Sequence, residues 1–277
     1  MGILLLLTLF LPHSGISSDT LRIDFLDVGE GDAIFLSHKG HCTFLIDTGN
    51  PLAGAKILAH LTTLGITRLD HLILTHPHLD HIGGVFTLAS LLSVSRFYDN
   101  GEDLSPLSKP GGIGRWYKKL VRDSSHYTAL RAGHVIKCFP LSVRVLWPPR
   151  AGLTKDWNTN SLVLMATFGR LRCLLMGDAN RETERRLLKT HINLKAQILK
   201  IGHHGACDSG TPSFLAAVSP QVVILSVDAE NIHGYPAAET LVRLRHTGAR
   251  ILRTDQNGTI TIYAHTEGDI KIITEKP

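Results

Sequence analysis

The sequence predicts a single-domain α/β fold in which two β-sheets pack face to face between outer layers of helices. Three observations support this prediction. Short strand-like segments fall into two blocks, and helical segments follow each block. No linker or low-complexity stretch separates the blocks, and every candidate metal ligand comes at the end of a predicted strand. We therefore expect one domain over residues 21–277, with one cleft at an edge of the sandwich.

The first block contains the predicted strand that matters most. The run Leu69 to Leu74 ends in Leu72-Ile73-Leu74, which has no polar alternation and is typical of a strand buried on both faces. A turn at Gly29-Glu30-Gly31-Asp32 separates the first two strands, and Gly65 ends a helix as a C-cap. The other predicted strands are 21–28, 33–37, 42–46 and 96–99, and the predicted helices are 52–64 and 85–92.

The segment at 111–123 has a different character. Its apolar residues follow helical spacing, and its other face is basic. A solvated helix lying on the core explains this pattern, and a surface for a phosphate backbone explains it as well. The apolar residues are Ile113, Trp116, Tyr117, Leu120 and Val121, and the cations are Arg115, Lys118, Lys119 and Arg122.

The second block completes the sandwich. Asn180 is the predicted N-cap of a helix that begins at Arg181. A closing hairpin is predicted to turn at Asn257-Gly258. The predicted strands are 143–147, 162–168, 172–176, 196–201 and 222–227, and the later helices are 211–218 and 237–247.

Composition bounds the function only loosely. The chain has 277 residues, of which 43% are hydrophobic, so it can build a full core. Its net charge of +5, with sixteen histidines counted as neutral, mildly favours an anionic substrate or surface. The four cysteines form no Cys-x-x-Cys pair, which argues against a zinc ribbon or a redox motif. Cys42 and Cys173 are predicted to be small buried side chains.

The amino terminus, residues 1–20, does not belong to the predicted domain. An apolar run over residues 3–11 is too short to span a bilayer, and Pro12 and several small residues follow it. This is the shape of a signal peptide. The tail of a membrane helix from a longer protein and a mis-assigned start are the alternatives. All three place the domain outside the cytoplasm, in the periplasm, secreted or anchored facing outward.

A His-x-His-x-Asp-His cluster follows the buried strand. In an extended segment His76 and His78 point to the same side and can bind one ion, while Asp80 and His81 turn toward a second. Pro77 argues against a helical zinc motif. Asp47, Asp178 and the pair His203-His204 also come at strand ends, where an open α/β layer binds its ligands.

In this order the motifs resemble the metallo-β-lactamase superfamily, an αββα sandwich, over almost all of residues 21–277. Asp47 of Ile-Asp-Thr-Gly resembles the first motif of that family, and the His76 to His81 cluster resembles the second. Asp178 of Met-Gly-Asp matches the bridging aspartate, and His203-His204 the late histidine.

A finer resemblance is to the extracytoplasmic domain of ComEC-type DNA-uptake proteins. Five segments carry it, and in those proteins this domain adjoins membrane helices. The segments are Phe25-Leu-Asp-Val-Gly-Glu-Gly-Asp-Ala33, Thr75 to Gly84, Asn158-x-x-Ser161-Leu-Val, Leu199-Lys-Ile-Gly-His-His-Gly205 and Arg253-Thr-Asp-x-x-Gly258.

Three positions depart from the patterns that this resemblance implies. Asn158 stands near the place where many superfamily hydrolases carry a histidine, Ala206 stands where serine is usual, and His233-Gly234-Tyr235-Pro236 replaces Tyr-Gly-His-Pro.

The resemblance implies a metal-dependent hydrolase, most simply a phosphodiesterase or nuclease acting on DNA during competence. One or two divalent ions, Zn²⁺ or Mn²⁺, are expected. One site would use His76, His78 and Asp178, and the other Asp80, His81, Asp178 and either His203 or His204, of which we assign His204. Asp47 would orient ligand histidines without binding metal. The residues expected to take part in the reaction are Asp80, His203, Asn158, Ser161 and His233.

Two other functions remain open on the sequence alone. The substrate could be a phosphocholine ester, a lactone or a β-lactam, or the domain could be a metal-poor module that only guides DNA. The expected partners are single-stranded DNA and a membrane-embedded DNA-uptake channel.

Overall fold

The computed structural model describes residues 20–38, 42–107, 112–149 and 153–277. Within these ranges the chain forms a mixed set of strands and helices. The strands are β1 (Thr20–Phe25), β2 (Ile34–His38), β3 (Cys42–Ile46), β4 (Arg68–Leu69), β5 (His71–Ile73), β6 (Ser93–Val94), β7 (Phe97–Asp99), β8 (Tyr127–Ala129), β9 (Val135–Cys138), β10 (Leu141–Trp147), β11 (Val163–Phe168), β12 (Leu171–Leu175), β13 (Ile198–Lys200), β14 (Val222–Leu225), β15 (Arg250–Arg253), β16 (Ile260–His265) and β17 (Ile270–Thr274). The α-helices are α1 (Ala53–Thr63), α2 (Leu79–Ile82), α3 (Val85–Leu91), α4 (Gly114–Tyr117), α5 (Arg181–Lys189), α6 (Pro212–Val218), α7 (Ala238–Arg245) and α8 (Thr254–Asn257).

Two large sheets form the middle of the molecule. One has the strand order β17-β16-β1-β2-β3-β5-β7-β8, and the other has the order β15-β14-β13-β12-β11-β10-β9. A continuous core between them takes buried side chains from both sheets, among them Phe44 and Leu164. Separate apolar clusters pack α1 and α3 on the outer face of the first sheet, and α5, α6 and α7 on the outer face of the second. The predicted α/β sandwich between helical layers is therefore confirmed.

The buried strand predicted before the histidine cluster is confirmed as β5. It pairs in parallel with β3 on one side and with β7 on the other. Leu72 and Ile73 are inaccessible to solvent, which explains why the segment shows no polar alternation. In the second sheet, β12 to β15 are also parallel. Parallel strands end at a common edge, so the motifs that follow β3, β5, β12 and β13 can meet in one cleft.

The helix predicted at 111–123 is present only in part. After α4 the chain forms a π-helical turn, Lys118–Arg122, which interrupts the regular helical period. Trp116, in α4 before this turn, is 67% exposed, whereas Tyr117 and Val121 are buried as predicted. Arg122 turns inward, and its Nε lies 2.7 Å from Asp99 Oδ2. The predicted basic face therefore loses one of its four cations.

The closing hairpin was predicted at the wrong place. Residues Thr254–Asn257 form α8, and Asn257 Oδ1 accepts a hydrogen bond from the backbone of Arg253. The chain then passes from β15 in one sheet to β16 in the other. The hairpin joins β16 to β17 instead, with its turn after His265. Asn257-Gly258 is thus a crossing between sheets, which has the same turn residues as a hairpin.

The prediction for Cys42 is wrong in its chemistry. The side chain is buried, but Cys42 forms a disulfide with Cys138, which follows it by 96 residues. Cys42 begins β3 in one sheet and Cys138 ends β9 in the other, so the bond joins the two sheets. Spacing alone could not pair them, because the contact depends on how the sheets stack. Cys173 is a buried free thiol, as predicted.

The amino-terminal leader predicted over 1–20 lies outside the described residues, apart from Thr20, which begins β1. Among the residues described, none of the helices combines the length and apolar character needed to cross a bilayer.

Candidate metal centre

A cleft of about 400 Å³ opens at the edge where the strand ends meet. It collects residues from segments far apart in the sequence. Its lining consists of Glu30, Asn50, His78, Leu79, Asp80, Asn158, Asp178, His203, His204, His233 and Tyr235.

Four side chains converge on one point in the floor of this cleft. The Oδ1 atom of Asp178 lies 3.2 Å from His81 Nε2 and 3.3 Å from His204 Nε2. On the other side, Asp80 Oδ2 lies 3.3 Å from His204 Nε2 and 3.5 Å from His81 Nε2. One ligand atom from each of the four residues falls within 4.8 Å of all the others. This is a four-donor set of two imidazoles and two carboxylates, suited to a tetrahedral cation.

A second group shares the same aspartate. His76 Nε2 lies 3.7 Å from Asp178 Oδ2 and 2.9 Å from His78 Nδ1. His76, His78 and Asp178 each offer a donor within 4.8 Å of the other two. The two oxygens of Asp178 therefore face different donor groups, which is the arrangement of a bridging carboxylate.

Asp47 supports the cluster from behind. Its Oδ2 atom lies 2.8 Å from His81 Nδ1, and the hydroxyl of Thr75 donates to the same oxygen at 2.7 Å. The backbone N–H of Thr75 donates to Oδ1, also at 2.7 Å. A carboxylate on Nδ1 fixes the orientation of an imidazole and leaves Nε2 for a metal. This geometry agrees with the role predicted for Asp47, and that role remains a proposal.

Close backbone approaches bring these segments together. A Cβ atom on Gly31 would lie 1.8 Å from the carbonyl oxygen of Asp80, and one on Gly202 would lie 2.0 Å from that of Ala179. Only glycine fits at such distances. His203 and His204 have φ angles of 46° and 52°, in the left-handed region that few residues with side chains adopt. The glycines and this strained turn let His204 reach Asp80 and Asp178.

The buried carboxylates of the cluster shift the pKa values of its histidines. Burial lowers the pKa of His81, but the carboxylates of Asp178 and Asp80 outweigh it and raise that pKa well above the usual range. Burial also opposes the charge on His204, yet Asp178 raises its pKa to about 10. Burial together with His81 lowers the pKa of His76, which stays neutral and able to bind metal. Without a cation, the carboxylates are thus balanced by protons on two ligand histidines.

The residues present fit divalent cations. Among the described residues, His81 Nε2, His204 Nε2 and Asp178 Oδ1 are buried, and the two nitrogens lie 3.2 and 3.3 Å from the oxygen, but they are not oriented to form hydrogen bonds with one another. Buried polar atoms of this kind are normally satisfied, so their convergence indicates a missing ligand between them. Imidazole with carboxylate, and no cysteine, suits Zn²⁺ and Mn²⁺ alike.

Comparison with known proteins decides the family. A model described as "Metallo-beta-lactamase superfamily" matches residues 26–228. The chain belongs to the metallo-β-lactamase superfamily. Among solved structures it resembles the metallo-β-lactamase fold protein YhfI from Bacillus subtilis, with a TM-score of 0.57 and 12% identity over 92% of this chain and 100% of that one. CmlA, a diiron β-hydroxylase from Streptomyces venezuelae, also gives a TM-score of 0.57, with 15% identity over 92% of this chain and 54% of that one. At these identities the structures show the shared fold alone.

Competence proteins are among the relatives by sequence. The chain is 32% identical to ComE operon protein 3 of Bacillus subtilis, over 86% of this chain and 32% of that protein. It is 29% identical to Recombination protein 2 of Haemophilus influenzae, over 94% of this chain and 31% of that protein. It is also 29% identical to Competence protein ComA of Neisseria gonorrhoeae, over 84% of this chain and 31% of that protein. The resemblance to ComEC-type proteins is confirmed, and the chain spans about a third of the length of these relatives. It is a metallo-β-lactamase superfamily hydrolase with a cluster able to bind metal.

Two of the residues expected to take part in the reaction lie at the surface of the cleft. Asn158 and His203 line the cleft, and Asn158 Nδ2 is 3.2 Å from His203 Nε2. His203 Nδ1 lies 3.4 Å from Asp208 Oδ1. His203 thus faces the open cleft, whereas His204 faces Asp80 and Asp178. Only His204 of the pair is placed to be a ligand.

Ser161 and His233 are placed differently from one another. Ser161 is inaccessible to solvent, and its Oγ accepts a hydrogen bond from the backbone N–H of Asp178 at 3.2 Å. It lies behind the bridging aspartate rather than at the cleft surface expected for a phosphoryl contact. His233 is at the rim, with Nε2 3.2 Å from Glu30 Oε1.

Two aromatic residues at the cleft were missed by the sequence analysis. The hydroxyl of Tyr235 lies 3.2 Å from His203 Nε2, and its ring stacks on His233. The ring of Trp157 lies 5.3 Å from that of His78. The sequence held one indication of their position: Tyr235 is two residues after His233, and Trp157 directly precedes Asn158.

Proposed function

We propose that this domain is a metal-dependent phosphodiesterase that hydrolyses DNA outside the cytoplasm during DNA uptake. The observation that carries the proposal is the pair of donor groups sharing Asp178, in a chain whose relatives are named as competence and recombination proteins. Two adjacent cation sites bridged by a carboxylate are a recurrent solution for phosphate ester hydrolysis.

The two donor groups that share Asp178 would hold divalent cations, which when bound would lower the pKa of a water nucleophile and stabilise charge on the phosphoryl oxygens. The protein's own groups do the rest. Asp47 holds the ring of His81, so that His81 Nε2 keeps facing Asp178. Asn158 has an amide N–H on the cleft side that can bind a non-bridging phosphate oxygen as its charge develops, and His203 Nε2 lies beside it. Tyr235 and Asp208 hold His203 in that position.

A location outside the cytoplasm is supported by the Cys42–Cys138 disulfide, because such bonds persist in oxidising compartments and are rare in reducing ones. We propose single-stranded DNA as the substrate and a membrane-embedded uptake channel as the partner. The support for this partner is that the named competence relatives are about three times as long as this chain.

The test is hydrolysis by the protein after metal removal and reloading with Zn²⁺ or Mn²⁺. Fluorogenic DNA, a chromogenic β-lactam, a lactone and a phosphocholine ester are assayed side by side, with the Asp80→Ala, His81→Ala variant as control. We expect DNA cleavage that returns with metal and is lost in the variant. Turnover of another ester alone would overturn the DNA assignment. DNA binding without cleavage, by a folded chain holding less than about one ion, would indicate a guiding module.

A further inference from the structure

An exposed tryptophan stands among cations on the surface of α4. Trp116 is 67% exposed, and Arg115, Lys118 and Lys119 beside it are exposed as well. The apolar residues of the same segment, Tyr117 and Val121, are buried. Burying the helix on the core therefore does not account for Trp116.

The segment that presents Trp116 is held firmly. The hydroxyl of Tyr117 donates to Asp99 Oδ2 at 3.0 Å, and Arg122 Nε donates to the same atom at 2.7 Å. The hydroxyl of Tyr127 donates to the other oxygen of Asp99 at 2.6 Å. Asp99 is buried, so one carboxylate anchors both ends of the segment. Because the backbone that carries Trp116 is held in place, less conformational entropy is lost when this residue binds a ligand.

The anchor also connects this surface to the metal cleft. Asp99 ends β7, the strand beside β5, whose end carries the histidine cluster. The side chain of Asn100 donates to the backbone carbonyl of Asn160 at 3.0 Å, and the side chain of Asn160 donates to Glu102 at 2.8 Å. The loop that ends at Asn160 also carries Trp157 and Asn158. The basic surface and the cleft therefore share one edge of the molecule.

We propose that Trp116 and its three neighbouring cations bind single-stranded nucleic acid as it runs toward the metal cleft. The ring stacks on an unpaired base, and Arg115, Lys118 and Lys119 contact phosphates. Asp123, 3.8 Å from Lys118, offsets one of the three charges and leaves the surface net positive. A duplex keeps its bases stacked within the helix and offers no free face to Trp116. This inference rests on the proposed function, because the surface would guide the same DNA strand that the metal cleft is proposed to hydrolyse.

The three tryptophans of the chain allow a direct test. Trp147 is buried and Trp157 lies beside His78, so in a Trp157→Phe background a solvent-dependent signal comes from Trp116. We expect an oligothymidylate of about 16 nucleotides to quench this fluorescence. Trp116→Ala should weaken binding about tenfold or more. Replacing Arg115, Lys118 and Lys119 by Gln should lower the slope of log affinity against log salt by about 2. The matched control replaces the exposed Lys189, Lys195 and Lys271 by Gln.

Three results would overturn the inference: affinities equal to those of the control, equal loss of duplex binding, or a Trp116 signal given by anionic phosphatidylglycerol vesicles but not by DNA. Hydrolysis separates this inference from the proposed function. In the wild-type background we expect the Trp116→Ala variant to show a higher KM for single strands and unchanged turnover of a small chromogenic phosphodiester. If the Trp116→Ala variant cleaves DNA with an unchanged KM, only the proposed role of this surface is refuted. If neither the wild type nor any variant cleaves a phosphodiester, the proposed function is refuted.

Discussion

The ammonium of Lys200 lies 2.8 Å from Asp32 Oδ2, and both side chains are buried below the ligand histidines. The other oxygen of Asp32 is 4.0 Å from His204 Nδ1. Asp32, Asp47 and His81 together offer donor atoms that could accept a further cation. Lys200 already supplies a positive charge at that point. We therefore expect the domain to bind no metal there.

Removing Lys200 should be costly because it leaves a buried carboxylate without a counter-charge. We expect Lys200→Met to lower the free energy of unfolding by about 3–5 kcal/mol. The double variant Asp32→Asn, Lys200→Met removes both charges of the pair and should recover most of this loss. Denaturant unfolding of the two single variants and the double variant gives the coupling energy. A double variant no more stable than Lys200→Met would show that the pair does not act as a unit.

Asp47→Asn should weaken metal binding without removing a ligand. The amide cannot hold His81 as the carboxylate does, so we expect metal affinity to fall about 10- to 100-fold. Calorimetric titration with Zn²⁺ measures the change. Asp24 offers a matched control, because this buried carboxylate lies 2.8 Å from His60 Nε2 and does not line the cleft. Equal losses from Asp24→Asn and Asp47→Asn would point to general destabilisation.

Metal binding should release protons. At neutral pH His81 and His204 carry protons in the metal-free protein, since carboxylates raise both pKa values, that of His204 to about 10. A cation displaces these protons, so affinity should rise with pH. Titrations in buffers of different ionisation enthalpy count the protons, and a heat independent of the buffer would contradict the expectation.

The same pKa shifts predict how the stability of the metal-free protein depends on pH. A raised histidine pKa stabilises the fold below the unfolded value of 6.5, and this contribution is lost as the pH rises through about 10. We expect metal-free protein to lose stability over this interval, and metal-loaded protein to lose less. Thermal unfolding of both forms across that range is the measurement, and parallel curves would refute the assignment.

The disulfide should stabilise the fold because it closes a long loop and so lowers the entropy of the unfolded chain. For a separation of 96 residues, chain entropy predicts a loss of about 4–5 kcal/mol of unfolding free energy on reduction. Denaturant unfolding with and without reductant tests this, and the Cys42→Ser, Cys138→Ser variant should match the reduced protein. An unchanged midpoint would show that packing alone holds the two sheets together.

Sequence reasoning succeeded where local pattern determines structure. The apolar residues Leu72-Ile73-Leu74 imply burial on both faces, and ligands that follow parallel strands imply a shared cleft at the edge where those strands end. It failed where the answer depends on long-range packing. The pairing of Cys42 with Cys138, the exposure of Trp116 and the crossing at Asn257 follow from how sheets and segments stack. Tyr235 was missed for the same reason, because its contact with His203 joins two distant loops.

The disulfide has a further consequence if the domain works outside the cytoplasm. Cys42 lies at the opposite end of β3 from Asp47, so the bond closes the sandwich at the edge away from the cleft. The loop that it closes contains His76, His78, Asp80 and His81. Protein molecules that remain in a reducing compartment would lack this disulfide and would unfold more readily. If the domain also hydrolyses DNA as proposed, export would protect the cell's own chromosome, because the enzyme would reach its full stability only outside the cytoplasm.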